Sequence, residues 1–305
     1  MTELCDLTAT EARRRIGTKE ISPVELLESC ITRTETVNPT VNSMVTTCYG
    51  RARAEARVAE KQVLDGEPLG LLHGLPFGSK DLESTGGVRT TMGSQLFADN
   101  VPDQDQGSIA EIRANGGILI GKTNTPEFGA GANTRNLVFG ATGNPFDPEM
   151  SCAGSSGGSA VSLATGMVPL ATGSDYGGSL RTPASFCGVV GFRPSPGVVP
   201  NELRSVGLNP FSVLGPMGRT VADAALLLSA MIGDDPRDPF GSGIDPELAE
   251  PLQPADLASL RVAISEDLGV SPLDNDIREC FRRKIDTIRH IFSDSQDQNP
   301  PFDDD

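Results

Sequence analysis

Residues 151–194 read SCAGSSGGSAVSLATGMVPLATGSDYGGSLRTPASFCGVVGFRP. The stretch contains two turns rich in glycine and serine, at residues 154–158 and 175–179, and a short helix of small residues is predicted over residues 159–165. Turns of this composition let backbone N–H groups approach a ligand closely, because glycine carries no side chain. We therefore expect the rest of the chain to be built around this stretch, with Ser179 as a nucleophile.

The composition argues against several classes of protein. The chain has 305 residues, 37% hydrophobic and 22% charged, which is enough for a sizeable core in one large or two ordinary domains. Its formal net charge of −16 disfavours binding to phosphate backbones, so we expect no nucleic-acid partner. No apolar run is long enough to cross a membrane and no signal peptide is recognisable, so no membrane partner is expected. The six scattered cysteines form no C-x-x-C pair, which favours reduced thiols in a cytoplasmic protein.

Helix signals fill the N-terminal part of the chain. Capping boxes begin helices at Thr8 and Ser22, and a third helix, over residues 51–64, ends at Gly66. These helices carry no recognisable chemistry. We expect them to form a packing layer over a sheet.

Short apolar runs then alternate with helix signals. Ser108 is expected to cap a helix that ends at Gly116, and residues 118–120 are expected to form a strand. The remaining elements are strands at residues 189–192 and 261–265 and helices at residues 221–232 and 277–292. Strands that alternate with helices predict an α/β fold with a mostly buried sheet.

One motif matches a phosphate-binding loop by its letters. Residues 116–123 read GGILIGKT, which fits G-x-x-x-x-G-K-[ST]. That loop must follow a strand, whereas here its middle is the predicted strand itself. The match is therefore interpreted as accidental, and no nucleotide is expected.

A second motif resembles the nucleophile elbow of histidine-dependent hydrolases. Residues 154–158 fit G-x-S-x-G around Ser156, but the residues before them do not form the hydrophobic strand that this elbow requires. The nearby Cys152 has no histidine close to it in sequence, so packing is the better interpretation of that thiol. Only His73 and His290 are present, and His290 falls on a predicted amphipathic helix, where a surface position is the simplest interpretation.

A lysine can replace histidine as the base of a serine hydrolase. Lys80 is the candidate, because it lies at the end of the glycine- and proline-rich segment GLLHGLPFGSKD. To accept a proton its amine must be neutral, so burial would have to lower its pKa from about 10.4 to about 7–8. A carboxylate facing the amine would oppose this change, so we expect Asp81 to point away from Lys80.

Five segments together resemble the amidase signature family, over about residues 8–239. They are HGLPFGSKD (73–81), GKTNTPEFG (121–129), AGSSGGSA (153–160), SDYGGSLRTPASFCGVVGFRPS (174–195) and GPMGRTVADAALLL (215–228). The resemblance implies an α/β fold with a mixed central sheet covered by helices on both faces. Two residues depart from the family pattern: Ala153 stands where glycine is usual, and Tyr176 replaces threonine in the turn D-T-G-G-S.

The resemblance also implies a catalytic set. Lys80, Ser155 and Ser179 would be the base, the proton-relaying serine after a cis peptide bond, and the nucleophile. The oxyanion hole would consist of the backbone N–H groups of Tyr176, Gly177, Gly178 and Ser179. The predicted supporting residues are Ser156, Asp175 and Arg181, with a structural salt bridge to Asp175 as the alternative role of Arg181. The implied substrate is a small-molecule amide, and no metal or cofactor is implied.

Family members continue beyond the point where this chain ends, so we expect the sheet to be incomplete at its C-terminal end. The predicted division is a helical layer at 1–70, the signature core at 71–240 and a partial C-terminal segment at 241–305 with a disordered acidic tail, within one structural domain. Three functions stay open: an amide hydrolase, a truncated or partner-dependent interaction protein, and an amidotransferase-like subunit that passes ammonia to a partner. A homo-oligomeric state also stays open.

Overall fold

The computed structural model describes residues 3–204, 206–241, 243–245 and 252–301. The chain groups into two compact units that divide between Leu252 and Gln253. Among the described residues, no helix is both long enough and apolar enough to cross a membrane. The division of the chain at residues 70 and 240 stays a prediction.

Eight α-helices are described, and four of them begin at a residue whose side chain caps the first turn. Those described are α1 (Ala9–Gly17), α2 (Pro23–Val41), α3 (Tyr49–Asp65), α4 (Gly107–Ala114), α5 (Gly157–Ala164), α6 (Arg181–Cys187), α7 (Val221–Met231) and α8 (Asn275–Ile288). Ser22 begins α2, because its Oγ accepts the N–H of Val24 at 2.9 Å and Glu25 closes the capping box. Gly66 ends α3 with a φ of +77°, in the left-handed region that favours glycine.

Six strands of the larger unit form one mixed sheet, and two short strands of the same unit pair separately with each other. The strands described in the whole chain are β1 (Met44–Thr47), β2 (Pro76–Lys80), β3 (Ile118–Thr123), β4 (Arg135–Asn136), β5 (Gly140–Ala141), β6 (Leu170–Asp175), β7 (Val190–Gly191), β8 (Val213–Gly218), β9 (Arg261–Ile264) and β10 (Asp294–Asp297). The six-stranded sheet has the order β1-β3-β2-β6-β8-β7. Its centre, β3-β2-β6, is parallel, and the outer strands β1 and β8 run antiparallel to their neighbours.

Helices cover both faces of this sheet. Successive side chains of β3 point to opposite faces, so Leu119 joins one hydrophobic core and Ile118 joins the other. Helices α1, α4 and α7 contribute to the core that contains Leu119, whereas α3, α5 and α6 contribute mainly to the core that contains Ile118. The predicted architecture, a mixed sheet between helical layers, is confirmed.

Four strands of the sheet have no counterpart among the sequence predictions. Strands β2 (PFGSK), β6 (LATGSD) and β8 (VLGPMG) contain glycine, proline or serine, and they are buried along almost their whole length. A strand buried on both faces shows no alternation between apolar and polar residues. The fourth, β1, is a short edge strand inside the segment predicted to be a helical layer.

Two further predictions are wrong. Helix α4 begins at Gly107 with Gln106 as its capping position, and the Oγ of Ser108 is buried without a hydrogen-bond partner rather than capping the helix. The expected disorder of the acidic tail is wrong for residues 294–297, because β10 pairs in parallel with β9 from Arg261 to Ile264. The last residues of the tail, 302–305, lie outside the described residues.

Candidate active site

Lys80 is the last residue of β2, the strand at the centre of the sheet. Its neighbours β3 and β6 pair with β2 on either side, so the lysine side chain is fully buried. Its Nζ lies 2.8 Å from the Oγ of Ser155, 2.8 Å from the Oγ of Ser156 and 2.9 Å from the Oγ of Ser174. A single amine is thus surrounded by three hydroxyl groups that come from two other segments of the chain.

Burial makes the ammonium form of Lys80 unusually acidic. Removal from water disfavours the charged form and lowers its pKa to about 7, against the opposing effect of the carboxylates of Glu83 and Asp175. The neighbouring Asp81 does point elsewhere, as predicted, since its carboxylate accepts hydrogen bonds from the backbone N–H and the hydroxyl of Thr91. At neutral pH an appreciable fraction of Lys80 is therefore an uncharged amine.

Ser155 and Ser156 lie in the turn that leads into α5. The Gly154–Ser155 peptide bond is cis, as the resemblance implies, and both serine side chains are buried. Ala153 adopts a φ of +58°, a left-handed conformation that glycine adopts more easily. The turn lies close to the rest of the unit, because a Cβ at Gly158 would come within 2.2 Å of the backbone nitrogen of Asn124. This contact explains why a glycine stands at the start of α5.

Asp175 organises the second turn, which follows β6. Its carboxylate accepts hydrogen bonds from the N–H groups of Gly178 and Leu180, and it forms salt bridges with Arg181 at 3.0 Å and Arg193 at 2.9 Å. Burial alone would raise the pKa of Asp175, but the hydrogen bonds from Arg181 and from the two N–H groups outweigh burial and hold the pKa below its usual value. The carboxylate is therefore a permanent anion around which the turn is folded.

The backbone of this turn offers N–H groups to the space beside Ser179. The N–H of Gly178 is occupied, because it donates to Asp175 at 2.8 Å. Among the described residues, no acceptor binds the N–H groups of Tyr176, Gly177 or Ser179. The predicted oxyanion hole therefore rests on these three groups, and Gly178 is left out of it.

Ser179 opens into a cavity of about 560 Å³. Ser155, Ser174 and the turn at residues 176–179 line one side of it, and Leu82 and Phe128 belong to its apolar lining. The side chain of Ser179 is half-buried, and its Oγ makes no hydrogen bond with any residue that the structure describes. The predicted nucleophile and the predicted relaying serine thus line one cavity, although no hydrogen bond joins their hydroxyl groups in this structure.

The lysine of the rejected phosphate-loop motif and the histidine at position 73 have structural roles. Lys122 of the apparent phosphate loop lies inside β3, fully buried, and donates to Ser79 and Thr85 at 2.9 Å each. His73 is buried and its Nε2 bonds to the carbonyl oxygen of Ala59 at 3.0 Å. Neither residue lines the cavity at Ser179.

Comparison with known proteins identifies the family. The family model described as Amidase matches residues 25–292. The chain belongs to the amidase family. The resemblance inferred from the five sequence segments is confirmed.

Relatives of this amidase-family chain include an acylamidase of Rhodococcus erythropolis, which is 38% identical over 271 residues, covering 89% of this chain and 57% of that protein. A glutamyl-tRNA(Gln) amidotransferase subunit of Chloroflexus aurantiacus is 37% identical over 292 residues, covering 95% of this chain and 60% of that protein. The crystal structure of a bacterial aryl acylamidase of the amidase signature family matches with a TM-score of 0.87 and 31% identity, covering 96% of this chain and 61% of that one. The chain thus spans about 60% of the length of the curated relatives it matches.

Three residues of the site have no counterpart in the sequence predictions. Ser174 contacts the amine of Lys80, Arg193 binds the carboxylate and the carbonyl oxygen of Asp175, and Glu83 acts on Lys80 through its charge. Ser174 and Arg193 lie inside the quoted segment 174–195, where neither residue has a distinctive spacing. The only sequence signal for Glu83 is its position three residues after Lys80, and it does not stand out there because Asp81 is charged as well.

Proposed function

We propose that this chain is an amide hydrolase in which Ser179 forms an acyl-enzyme with a carboxylic amide. The observation that carries the proposal is the buried amine of Lys80, with a pKa of about 7, in hydrogen-bond contact with Ser155 beside the Ser179 cavity. A neutral amine at this position is a base for a serine hydroxyl at physiological pH. Membership of the amidase family supports the same chemistry.

The hydrogen bonds around Lys80 indicate which serine hydroxyl donates its proton to the neutral amine. A neutral amine has two N–H donors and one lone pair, so it can donate to two of its three hydroxyl partners and must accept from the third. The hydroxyl of Ser156 donates to the carbonyl oxygen of Ser174 at 3.3 Å, so Ser156 accepts from Lys80. The other two hydroxyls, those of Ser155 and Ser174, both line the cavity, and we assign the lone pair to Ser155 because the family resemblance makes it the relaying serine.

The proposed reaction then runs as two proton relays. The Oγ of Ser179 attacks the amide carbon, its proton passes to Ser155, and the proton of Ser155 passes to the amine of Lys80. The carbonyl electron pair moves onto the oxygen, where the N–H groups of Tyr176, Gly177 and Ser179 stabilise the negative charge. When the carbon–nitrogen bond breaks, the proton on Lys80 returns through Ser155 to the departing nitrogen. Water hydrolyses the ester through the same relay, which releases the acid.

The cavity supports a small, uncharged amide as substrate. The described residues that line it include no charged side chain, and Leu82, Phe128 and Tyr176 offer apolar surface. The proposal needs no metal or cofactor, because the relay supplies both the base and the acid. We further propose a cytoplasmic location, which the six free cysteines support. The oligomeric state stays open.

Labelling with a fluorophosphonate probe tests this function. We expect the 305-residue chain to be labelled at Ser179, with no labelling of Ser179→Ala and a labelling rate at least about 10²-fold lower for Lys80→Ala, the usual scale for loss of a general base. Ser185→Ala is the matched control, because Ser185 is an exposed serine of α6 that does not line the cavity. A chain that unfolds cooperatively but is not labelled would exclude the proposed activity.

A second candidate function is supported by the amidotransferase relatives. In that case the chain would release ammonia from an amide for use by a partner protein, as the name of the Chloroflexus aurantiacus relative suggests. Labelling of Ser179 would be the same in both cases. The two differ in the acceptor: a hydrolase releases ammonia or an amine into solution at full rate, whereas an amidotransferase-like subunit would need the partner for rapid turnover.

A further inference from the structure

A second buried polar cluster adjoins Lys80. We call it the Glu83 cluster; it consists of Ser79, Glu83, Thr85, Lys122 and Thr172, all fully or almost fully buried. The Oε2 of Glu83 accepts hydrogen bonds from the hydroxyls of Thr172 and Ser79, the latter at 3.2 Å. Its Oε1 has no hydrogen-bond partner among the described residues. Burying a carboxylate with one unpaired oxygen lowers the free energy of unfolding, so we look for a functional role that offsets this cost.

Burial lowers the pKa of Lys122 in this cluster to about 8, so this lysine is mainly an ammonium ion at neutral pH. Its Nζ donates to the carbonyl oxygen of Glu83 at 2.5 Å and to the hydroxyls of Ser79 and Thr85 at 2.9 Å each. The carbonyl can only accept, and each of the two hydroxyls has another acceptor for its own proton, so three acceptors surround three N–H donors. This arrangement differs from that of Lys80, and the positive charge of Lys122 acts on the Glu83 carboxylate through space rather than through a salt bridge.

Two hydrogen bonds connect Glu83 to the end of β2. The backbone N–H of Lys80 donates to the Oγ1 of Thr172 at 3.1 Å, and this hydroxyl in turn donates to the carboxylate of Glu83. The backbone N–H of Glu83 donates to the carbonyl oxygen of Lys80 at 3.0 Å. The peptide groups on both sides of Lys80 are therefore tied to Glu83, directly or through Thr172 on β6.

The charged groups that act on Lys80 come from few elements. Glu83 follows its own strand and Asp175 ends β6, and both carboxylates favour the protonated amine. Burial raises the pKa of Glu83, whereas the hydrogen bond from Thr172 and the charge of Lys122 on β3 favour its carboxylate form. Helices α2 and α5, which also pack against β2, contribute no charged group that shifts the pKa of Lys80. Of these two carboxylates, Asp175 is already paired with Arg181 and Arg193. The carboxylate of Glu83 has no arginine partner, and its Oε1 has no hydrogen-bond partner among the described residues.

We propose that Glu83 is a positioning residue for Lys80, which holds the end of β2 through Thr172 and stabilises the ammonium that forms when Ser179 attacks. The inference rests on the proposed function. Glu83 exchanges no proton in the reaction: the proton of Ser179 ends on the Nζ of Lys80, and Glu83 stays an anion beside Lys122. Its negative charge sets the pH at which the amine of Lys80 becomes neutral.

The test compares two buried carboxylates of the same segment. The labelling rate of Ser179 is measured between about pH 5.5 and 9.5 for the unmodified chain, Glu83→Gln and Asp81→Asn. Loss of the Glu83 charge should move the midpoint of the rising limb to lower pH by about one unit, the usual scale for one nearby charge. It should also slow labelling at high pH, since a less basic lysine is a weaker base. Asp81→Asn should leave the midpoint within a few tenths of a unit, because Asp81 does not act on Lys80.

A folded Glu83→Gln chain with the original midpoint would overturn the inference while leaving the proposed function intact. If the unmodified chain is not labelled, the proposed function is refuted, but the inference on Glu83 can still be tested. The Lys80 side chain is then titrated by NMR in Ser179→Ala with and without Glu83→Gln. The NMR midpoint should again fall by about one unit, and an unchanged midpoint would overturn the inference.

If Glu83→Gln does not fold, Thr172→Val and Thr172→Ser replace it. Thr172→Ser keeps the hydroxyl, so its labelling midpoint should equal that of the unmodified chain. Thr172→Val removes the hydroxyl and should lower the midpoint. Equal midpoints in the two variants would again overturn the inference.

Discussion

The amine of Lys80 lies 2.8 Å from the hydroxyl oxygen of Ser155, although 75 residues separate them along the chain. The contact exists because β2 and the turn before α5 meet at one point beside the sheet. Strand β2 brings a lysine that is fully buried, and the turn brings two serines whose hydroxyls replace the water that the amine has lost. The chemistry proposed for Ser179 depends on this one contact.

The first prediction concerns the pH dependence of catalysis. Because the pKa of Lys80 is about 7 and only the neutral amine accepts a proton, activity should rise with pH through a midpoint near 7. Two pH units below the midpoint the rate should be about a hundredfold lower than on the plateau. Hydrolysis of a chromogenic anilide, measured at constant ionic strength, checks this. Equal rates at about pH 5.5 and pH 8.5 would rule out Lys80 as the base.

The second prediction concerns stability. The pKa of Lys80 is about 7 in the folded chain and near 10.5 when the lysine is unperturbed, so the unfolded chain binds more protons between these values. The free energy of unfolding should therefore increase with pH across this window, by at most roughly 1.4 kcal/mol per pH unit from this lysine. Lys80→Met removes the group, so the difference in stability between the unmodified chain and this variant should change with pH in the same sense. Parallel stability curves from urea unfolding would contradict the buried, neutral state of Lys80.

A third prediction separates the two arginines that bind Asp175. Arg193 donates to the carbonyl oxygen and carboxylate of Asp175 and to the carbonyl oxygen of Phe211, and its side chain is 21% exposed. Arg181 binds only the carboxylate and is 56% exposed. Arg193→Ala should cost about 2–3 kcal/mol of stability and slow labelling at least tenfold, because it leaves part of a buried anion unpaired. Arg181→Ala should cost less than about 1 kcal/mol. The reverse order in urea unfolding and labelling would refute this assignment.

The fourth prediction compares two glycines in the first turns of helices. A Cβ at Gly158 would meet the backbone nitrogen and oxygen of Asn124 at 2.2 and 2.6 Å, whereas a Cβ at Gly50 would meet nothing within 4 Å. Gly158→Ala should lower the midpoint of thermal unfolding by several degrees and impair labelling of Ser179. Gly50→Ala should be neutral or slightly stabilising, since alanine favours a helix. Equal effects on the unfolding midpoint would show that α5 has room to move.

Local sequence signals predict the helices better than the strands. Capping by Ser22 and termination at Gly66 depend on neighbouring residues alone, so their chemistry can be recognised in the sequence. Strand β2, which contains a proline, a glycine, a serine and a lysine, is a strand only because β3 and β6 pair with it. Its position depends on partners far along the chain, and no local pattern encodes it.

The candidate site likewise contains residues that the sequence predicts and residues that only the folded structure reveals. Lys80, Ser155 and Ser179 are predicted from motifs that a family resemblance ties together, and the structure brings Lys80 into contact with Ser155 and Ser155 into the same cavity as Ser179. The contributions of Ser174 and Glu83 depend on which face of a strand or turn they occupy and on burial by other elements. Such three-dimensional relationships leave no trace in local sequence. The exclusion of Gly178 from the proposed oxyanion hole likewise follows from its hydrogen bond to Asp175, which only the folded turn reveals.

The enclosure of Lys80 has a further consequence for chemical damage. A neutral amine is the form of lysine that reacts with electrophiles, so an accessible lysine with a pKa of about 7 would be the first to be acetylated, carbamylated or glycated. Here the burial that makes the amine neutral also keeps such reagents away from it, because its exposure to solvent is 0%. An electrophile that enters the cavity meets hydroxyl groups instead. The same packing thus keeps the proposed base in its neutral form and protects it from modification.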